Sequence, residues 1–217
     1  MLASPQFWDP FERDFLAKQI KSKSDNQSFV FTDVGANVGL YALFAACTAT
    51  RSRNAAIILA VEPDPVNRKR LEDNLLANEC IGKIVVAPIA ISGRQGRAVL
   101  QGGDQNRGEV HIGEFTSHKG NSVRVETLGN LFREYGLVHI DAMKLDIENH
   151  DLVALQDLFY NEAESLWPDS LIVEVGKNLD HPILKLCKEN GYELVGRTRL
   201  NAMLCRPSAL DDNAQER

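Results

Sequence analysis

Acidic residues flanked by glycine, proline or asparagine follow several apolar runs in this chain, and their types and spacing could do chemistry. The first group is Asp33-Val-Gly35-Ala36-Asn37-Val-Gly39. Glycines let a ligand approach the backbone closely, and a helix opening after them offers N–H groups to a carboxylate. The acid discriminates between ligands. A dinucleotide carries a pyrophosphate, which Asp33 would repel, and the G-x-G-x-x-G spacing of dinucleotide turns is not met. S-adenosylmethionine carries an ammonium, a sulfonium and a carboxylate, which suit an acid beside a helix N-terminus. The same turn could also serve strand-to-helix geometry alone.

The second group is Glu62-Pro-Asp64-Pro. Glu62 is expected to accept the ribose hydroxyls of an adenosine from a solvent-accessible crevice, and Asp64 to cap the following helix. The third is Lys144-Leu-Asp146-Ile-Glu148-Asn149-His150-Asp151. Strand alternation places Lys144, Asp146 and Glu148 on one side. Asp146 is a candidate for binding and for catalysis, and Glu148 for catalysis. His150 is a candidate general base, because imidazole titrates near neutrality. His111 and His118 could reach an acceptor. Glu174 stands at the same rim, with an ion pair to Lys144 or Lys177 as its structural alternative. No histidine pair has metal-ligand spacing, so no metal ligands are assigned, although the acids at the rim leave room for a divalent ion.

These groups need elements to hold them. Apolar and helical patterns alternate: a helix over 8–23 with Trp8, Phe11, Phe15 and Gln19 as its packed stripe, strand 29–34, helix 38–50, strand 57–61, helix 65–78 and strand 83–91. Residues 93–121 hold seven of the fifteen glycines and read as hairpins or a loop, expected to close over the acceptor rather than the donor. Then come a short strand at 123–125, helix 127–135, strand 142–147, helix 151–162, strand 171–175, helix 182–190, and strands 192–197 and 202–205. The last two strands are too close for a crossover, so the final one must run antiparallel. The expected fold is α/β: a doubly wound, mostly parallel seven-stranded sheet with helices on both faces and a last antiparallel strand. One domain spans 1–206, followed by a disordered polar tail over 207–217.

Composition excludes several classes. The chain has 217 residues and a net charge of −6, which argues against a nucleic-acid partner held by phosphates. Its start has no signal-peptide pattern, and no apolar run could span a bilayer. The four cysteines form no CxxC pair and read as reduced core residues of a cytoplasmic protein.

Together these segments resemble the FkbM family of class I methyltransferases. The resemblance rests on Asp33 to Gly39, Glu62-Pro-Asp-Pro-Val-Asn67 with Leu71, Asn74 and Asn78, Val125-Glu-Thr-Leu128, Lys144 to Glu148, and Glu174. It implies a Rossmann-like methyltransferase fold, S-adenosylmethionine as donor bound by Asp33, Gly35, Ala36, Asn37, Gly39, Glu62 and Asp146, and a hydroxyl acceptor on a sugar or small metabolite. Two departures from the family stand out. Asn149 stands where a glycine is usual, with Asp151 for a glutamate, and Gly129 stands where an aspartate is usual. The rival readings are a donor-binding or partner-binding protein without turnover, and a nicotinamide-dependent oxidoreductase.

Overall fold

A computed structural model describes residues 9–23, 27–103, 110–117, 120 and 122–207. Trp8, His118 and the tail beyond Pro207 lie outside the described residues.

The main sheet has seven strands in the order β10-β11-β9-β8-β1-β2-β3. These are β1 (Phe29–Val34), β2 (Ala56–Val61), β3 (Ile84–Ala87), β8 (Ala142–Leu145), β9 (Ser170–Glu174), β10 (Glu193–Arg197) and β11 (Asn201–Cys205). Neighbours from β3 to β9 pair in parallel, and β11 runs antiparallel to both β9 and β10. Every residue of β1 is buried, as expected for a strand covered on both faces.

Alternation divides β1 between two cores. Val30 and Val34 join Leu59, Val61, Met143 and Leu145 under α4 (Leu128–Glu134), α5 (Asp151–Asn161) and α6 (Pro182–Glu189). Phe29 and Phe31 join Ile58, Ala60 and Ala142 under α1 (Pro10–Ser22), α2 (Leu40–Ser52) and α3 (Pro65–Ala77). Asp33 shares parity with Phe29 and Phe31, so it faces the second core. After β3 the chain returns to the far side of β1, which makes the β1/β8 boundary the switch in strand order. Ligands bind at the carboxyl ends beside such a switch.

Several sequence expectations are corrected. On α1 the buried face is Glu12, Leu16 and Ile20, and Phe11 is 70% exposed, so the stripe through Phe11 and Gln19 is not the packed one. Glu12 turns inward because its carboxylate accepts hydrogen bonds from Thr198 Oγ1 (2.6 Å) and Asn201 Nδ2 (2.8 Å). Strand 83–91 is two strands. Pro88 has no N–H to donate, the ladder to β2 ends at Ala87, and β4 (Ala90–Ile91) pairs instead with β7 (Ser122–Glu126). Cys47 is exposed, whereas Cys80, Cys187 and Cys205 are buried. Gly39, at φ 83°, is the N-cap of α2, so that helix begins at Leu40 rather than at 38.

The glycine-rich segment neither extends the main sheet nor forms a loop throughout. β5 (Gly96–Gln101) and β6 (His111–Phe115) pair as a hairpin, and with β4 and β7 they build a second, four-stranded sheet. Its small core is Ala90, Ala98, Ile112 and Val125. At Gly129 the space an aspartate would need is taken: a Cβ there would lie 1.9 Å from Glu162 Oε1, which belongs to a carboxylate paired with Arg133 at 2.5 Å.

Candidate active site

The turn after β1 is built on the strand tops beside it. Gly35 has φ 81°, and a Cβ there would lie 1.8 Å from the carbonyl oxygen of Asp146, so glycine is required twice over. The N–H groups of Gly35 and Ala36 donate to the Val61 carbonyl (3.0 and 2.9 Å), and that of Asn37 to Glu62 Oε2 (2.8 Å). These three donors are thus spent on β2. Asn37 itself takes φ 50°.

Glu62 is 5% exposed, and its second oxygen accepts from the Asp64 N–H at 2.8 Å. The expectation of a structurally free crevice carboxylate is therefore corrected: Glu62 ties two loops together while one edge of it lines the cavity. Burial pushes its carboxyl up to about 7, against the two backbone donors. Asp64 caps α3 by accepting from Asn67 N, as expected.

Asp33 is 1% exposed. Its Oδ2 accepts from the Ala42 N–H at 3.0 Å, while Oδ1 has no partner among the described residues. Burial raises it to about 6, with Lys144 and the Ala42 N–H opposing. Asp146 pairs with Lys144 Nζ at 2.8 Å, and the lysine lies 5.2 Å from the Tyr41 ring centroid. The Tyr41 hydroxyl donates to Asp9 Oδ2 at 3.0 Å.

These side chains line one cavity at the ends of β1, β2 and β8. Asp33, Gly35, Ala36, Asn37, Glu62, Asp146 and Glu148 all reach it, and Gly39 lies just behind, against Leu71. Asp9, Tyr41, Asn67 and Lys144 also line it. Asp9 and Tyr41 carried no sequence signal, because each is isolated in the chain and meets the cavity only through the packing of α1 on α2. Ile89, Ile91, Leu100 and Ile112 supply an apolar wall. The hairpin borders the cavity that holds Asp33 and Glu62 through Leu100, His111 and Ile112. Five carboxylates line the cavity with Lys144, so it suits a cationic ligand and opposes a pyrophosphate.

The turn after β8 survives its asparagine. Glu148 and Asn149 take φ 50° and 71°, both left-handed, and asparagine tolerates that region better than most residues. Asp151 turns back to accept from the Ile147 N–H at 3.1 Å. Carboxyl oxygens of Asp146, Glu148 and Glu174 lie within 4.8 Å of one another. Burial, then the charges of Asp146 and Glu148, pushes Glu174 up to about 7, and the ion pair expected for it is taken by Asp146. Glu148 lines both the cavity of Asp33 and Glu62 and a crevice formed with Glu174, Asn149 and His181.

His150 is placed elsewhere. Its Nδ1 is 2.9 Å from Ser92 Oγ, the ring bonds the Ile112 backbone, and it opens on a crevice with Arg94, Phe115 and Tyr160. Burial, foremost, holds its pKa below the usual histidine value. His111, on the hairpin, lines the cavity of Asp33 and Glu62 instead. A histidine–carboxylate cluster of His139, Asp141 and Asp169 lies before β8 and β9, at the opposite end of the sheet, where Lys23 pairs with Asp141 at 2.5 Å.

Comparison with known proteins agrees with this geometry. The sequence profile described as the Methyltransferase FkbM domain matches residues 33–194, most of the chain. The chain belongs to this family. Among solved structures it is similar to the FkbM methyltransferase of Methylobacillus flagellatus, with a TM-score of 0.52 at 15% identity over 82% of this chain and 43% of that one. An S-adenosylmethionine-dependent O-methyltransferase of Thermotoga maritima gives 0.53 at 14% identity over 91% and 65%. A ribosomal protein L11 methylase of Lactobacillus delbrueckii gives 0.50 at 16% identity over 90% and 78%. No curated protein sequence matches significantly. The fold is therefore the class I methyltransferase fold, and the chain spans less than half of the first FkbM relative. No helix among the described residues is long and apolar enough to cross a membrane.

Proposed function

We propose that this chain binds S-adenosylmethionine in the cavity between the ends of β1, β2 and β8, and methylates a hydroxyl of a neutral sugar or small metabolite. The observation carrying the donor reading is Asp33 Oδ1, a buried acceptor without a partner among the described residues, at the wall of a cavity rich in carboxylates. An unmet buried acceptor costs free energy that a donor ammonium would recover. Glu62 uses one lone pair of each oxygen on backbone donors and keeps the others for ribose hydroxyls. When bound, S-adenosylmethionine supplies a methyl group already activated for transfer.

The chain's own contribution is to align an acceptor and remove its proton. Asp146 and Glu148, proposed as catalytic, lie at the cavity. Asp146 is held ionised below the usual range by Lys144 against burial. Glu174 joins them as the carboxylate best placed to act as base, since it titrates near neutrality and shares a crevice with Glu148. His150 opens on a different crevice, so its role is to hold the hairpin through Ser92 and Ile112. The carboxylates at the acceptor mouth disfavour phosphorylated acceptors and nucleic acid.

Calorimetry should show binding of S-adenosylmethionine and S-adenosylhomocysteine and none of NAD. Release of S-adenosylhomocysteine should then be seen with some of a panel of hydroxylated metabolites and glycans. Binding of NAD without either adenosyl ligand would overturn the donor reading; turnover only with amines, thiols or nucleic acid would overturn the hydroxyl.

A further inference from the structure

We propose that Lys144 is a positioning residue of the donor site: its buried ammonium keeps Asp33 and Asp146 as carboxylates, ready for a cationic donor. The claim about the donor rests on the reading above; the claim about the carboxylates concerns the unliganded protein.

The sheet register brings the groups together. Asp33 and Lys144 are direct partners across the parallel β1/β8 pair, and both side chains face the α1–α2–α3 layer. Lys144 is 6% exposed, with Nζ 2.8 Å from Asp146 Oδ2 and 5.2 Å from the Tyr41 ring centroid. All four side chains line the donor cavity. Two carboxylates on adjacent strand ends, Asp33 buried and Asp146 half-buried, would favour sharing a proton unless a cation stood beside them.

The charged groups around Lys144 come from every neighbouring element. They are Asp33 on β1, Asp146 after β8, Asp151 on α5, and Asp9 at the start of α1, whose carboxylate receives the Tyr41 hydroxyl of α2. Beyond them, Glu12 acts on Asp9 and Tyr41, Glu62 faces Asp33, and Glu174 of β9 bonds Asp146. Burial works to lower the lysine, but Asp146 and Asp33 outweigh it and hold its pKa above the ordinary value. The ammonium therefore stays charged throughout the neutral range. Asp33 has much less margin, since burial already brings it to about 6 with the cation present.

This arrangement makes an unusual demand on the variant Lys144→Met. Were the carboxylates to remain ionised by themselves, removing a positive charge would leave the cavity more negative, and a cationic donor would bind tighter. If Lys144 instead keeps them ionised, its loss lets one take up a proton, and binding weakens only where that proton is held. The comparison is the ratio of S-adenosylmethionine dissociation constants, variant over wild type, by calorimetry at pH 5.5, 7.0 and 8.5. Taking the ratio cancels titration of the ligand itself. The expected ratio is at or below one at pH 8.5 and grows as pH falls, toward about tenfold for each unit by which the Asp33 pKa rises. At pH 8.5 the variant has ionised too; by pH 5.5 wild-type Asp33 has begun to take up its own proton, so the ratio levels off there. Lys144→Arg should follow wild type.

A purely structural lysine would give a ratio independent of pH. That result, or tighter binding by the variant at pH 7, overturns the proposal. Carboxyl carbon NMR titration of the unliganded proteins decides it without the donor: in Lys144→Met the Asp33 or Asp146 midpoint must move upward, and an unmoved midpoint overturns it. If wild type bound neither adenosyl ligand, the donor reading would fail while this titration still decided what Lys144 does. Should Lys144→Met not fold, Lys144→Gln carries the same two measurements with a neutral polar group, and the wild-type titration must still find Asp33 well above the ordinary aspartate range.

Discussion

Replacing Glu62 with glutamine should stabilise the protein at slightly alkaline pH while weakening its donor site. The carboxyl is raised from 4.5 to about 7 by burial. In the unfolded chain it ionises near the ordinary value, so between roughly pH 4.5 and 7 the unfolded state loses a proton that the folded state keeps. Wild-type stability must then fall with rising pH across that window, by about 3 kcal/mol from this group at 1.36 kcal/mol per unit. Glutamine has no proton to lose. Its carbonyl keeps one backbone donor, as protonated Glu62 does, and its amide faces the other. Near pH 4.5 the variant should be the less stable by about 1 kcal/mol, because its amide nitrogen cannot accept from the second N–H as the hydroxyl oxygen of the protonated carboxyl can. Between pH 4.5 and 8 the difference should move by about 3 kcal/mol in the variant's favour. Urea denaturation at several pH values, scored as the difference between the two, cancels most contributions of Asp33, Asp151 and Glu174. Donor affinity should fall by about 1–3 kcal/mol, the scale for losing a charged hydrogen-bond partner. A stability difference that did not change with pH would refute the reasoning. It would mean that the N–H groups of Asn37 and Asp64 hold Glu62 ionised despite its burial.

Gly35→Ala should destabilise by about 3 kcal/mol or more in chemical denaturation, because the left-handed backbone and the Asp146 carbonyl both exclude a side chain; a loss under 1 kcal/mol would show that the turn yields. Glu174→Gln should cut kcat/KM at least about a hundredfold with little change in donor affinity. Wild-type activity should rise with pH through about 7 as Glu174 ionises, and an activity that fell with pH there would assign the base elsewhere. Ser92→Ala should speed hydrogen exchange in β6 by freeing His150, with donor affinity retained; unchanged exchange together with lost turnover in His150→Gln would return His150 to catalysis.

The sequence by itself determined the order of the elements and the groups at their ends. Buried parallel strands read as continuous apolar runs, so β1, β2, β8 and β9 were legible, and an acid or glycine just past each marked the rim. The closeness of the last two strands required β11 to be antiparallel. Local φ demands were legible as well: Asn149 stands where the left-handed turn needs a tolerant residue, and Asp64 where α3 needs a cap. What the sequence could not decide was which groups, distant along the chain, meet. Glu12 faces inward because Thr198 and Asn201 wait for it from a turn more than 180 residues away. Asp9 and Tyr41 reach the cavity through helix packing that leaves no local pattern. Pro88 breaks a run that periodicity alone reads as one strand, and where the second half goes depends on β7. Glu62 and His150 were chosen for their chemistry, but their roles follow from partners. Two backbone donors hold the first between loops, and the second bonds Ser92 and Ile112 beside a neighbouring crevice. Spacing specifies which face a side chain occupies; only the packed sheet specifies what that face meets.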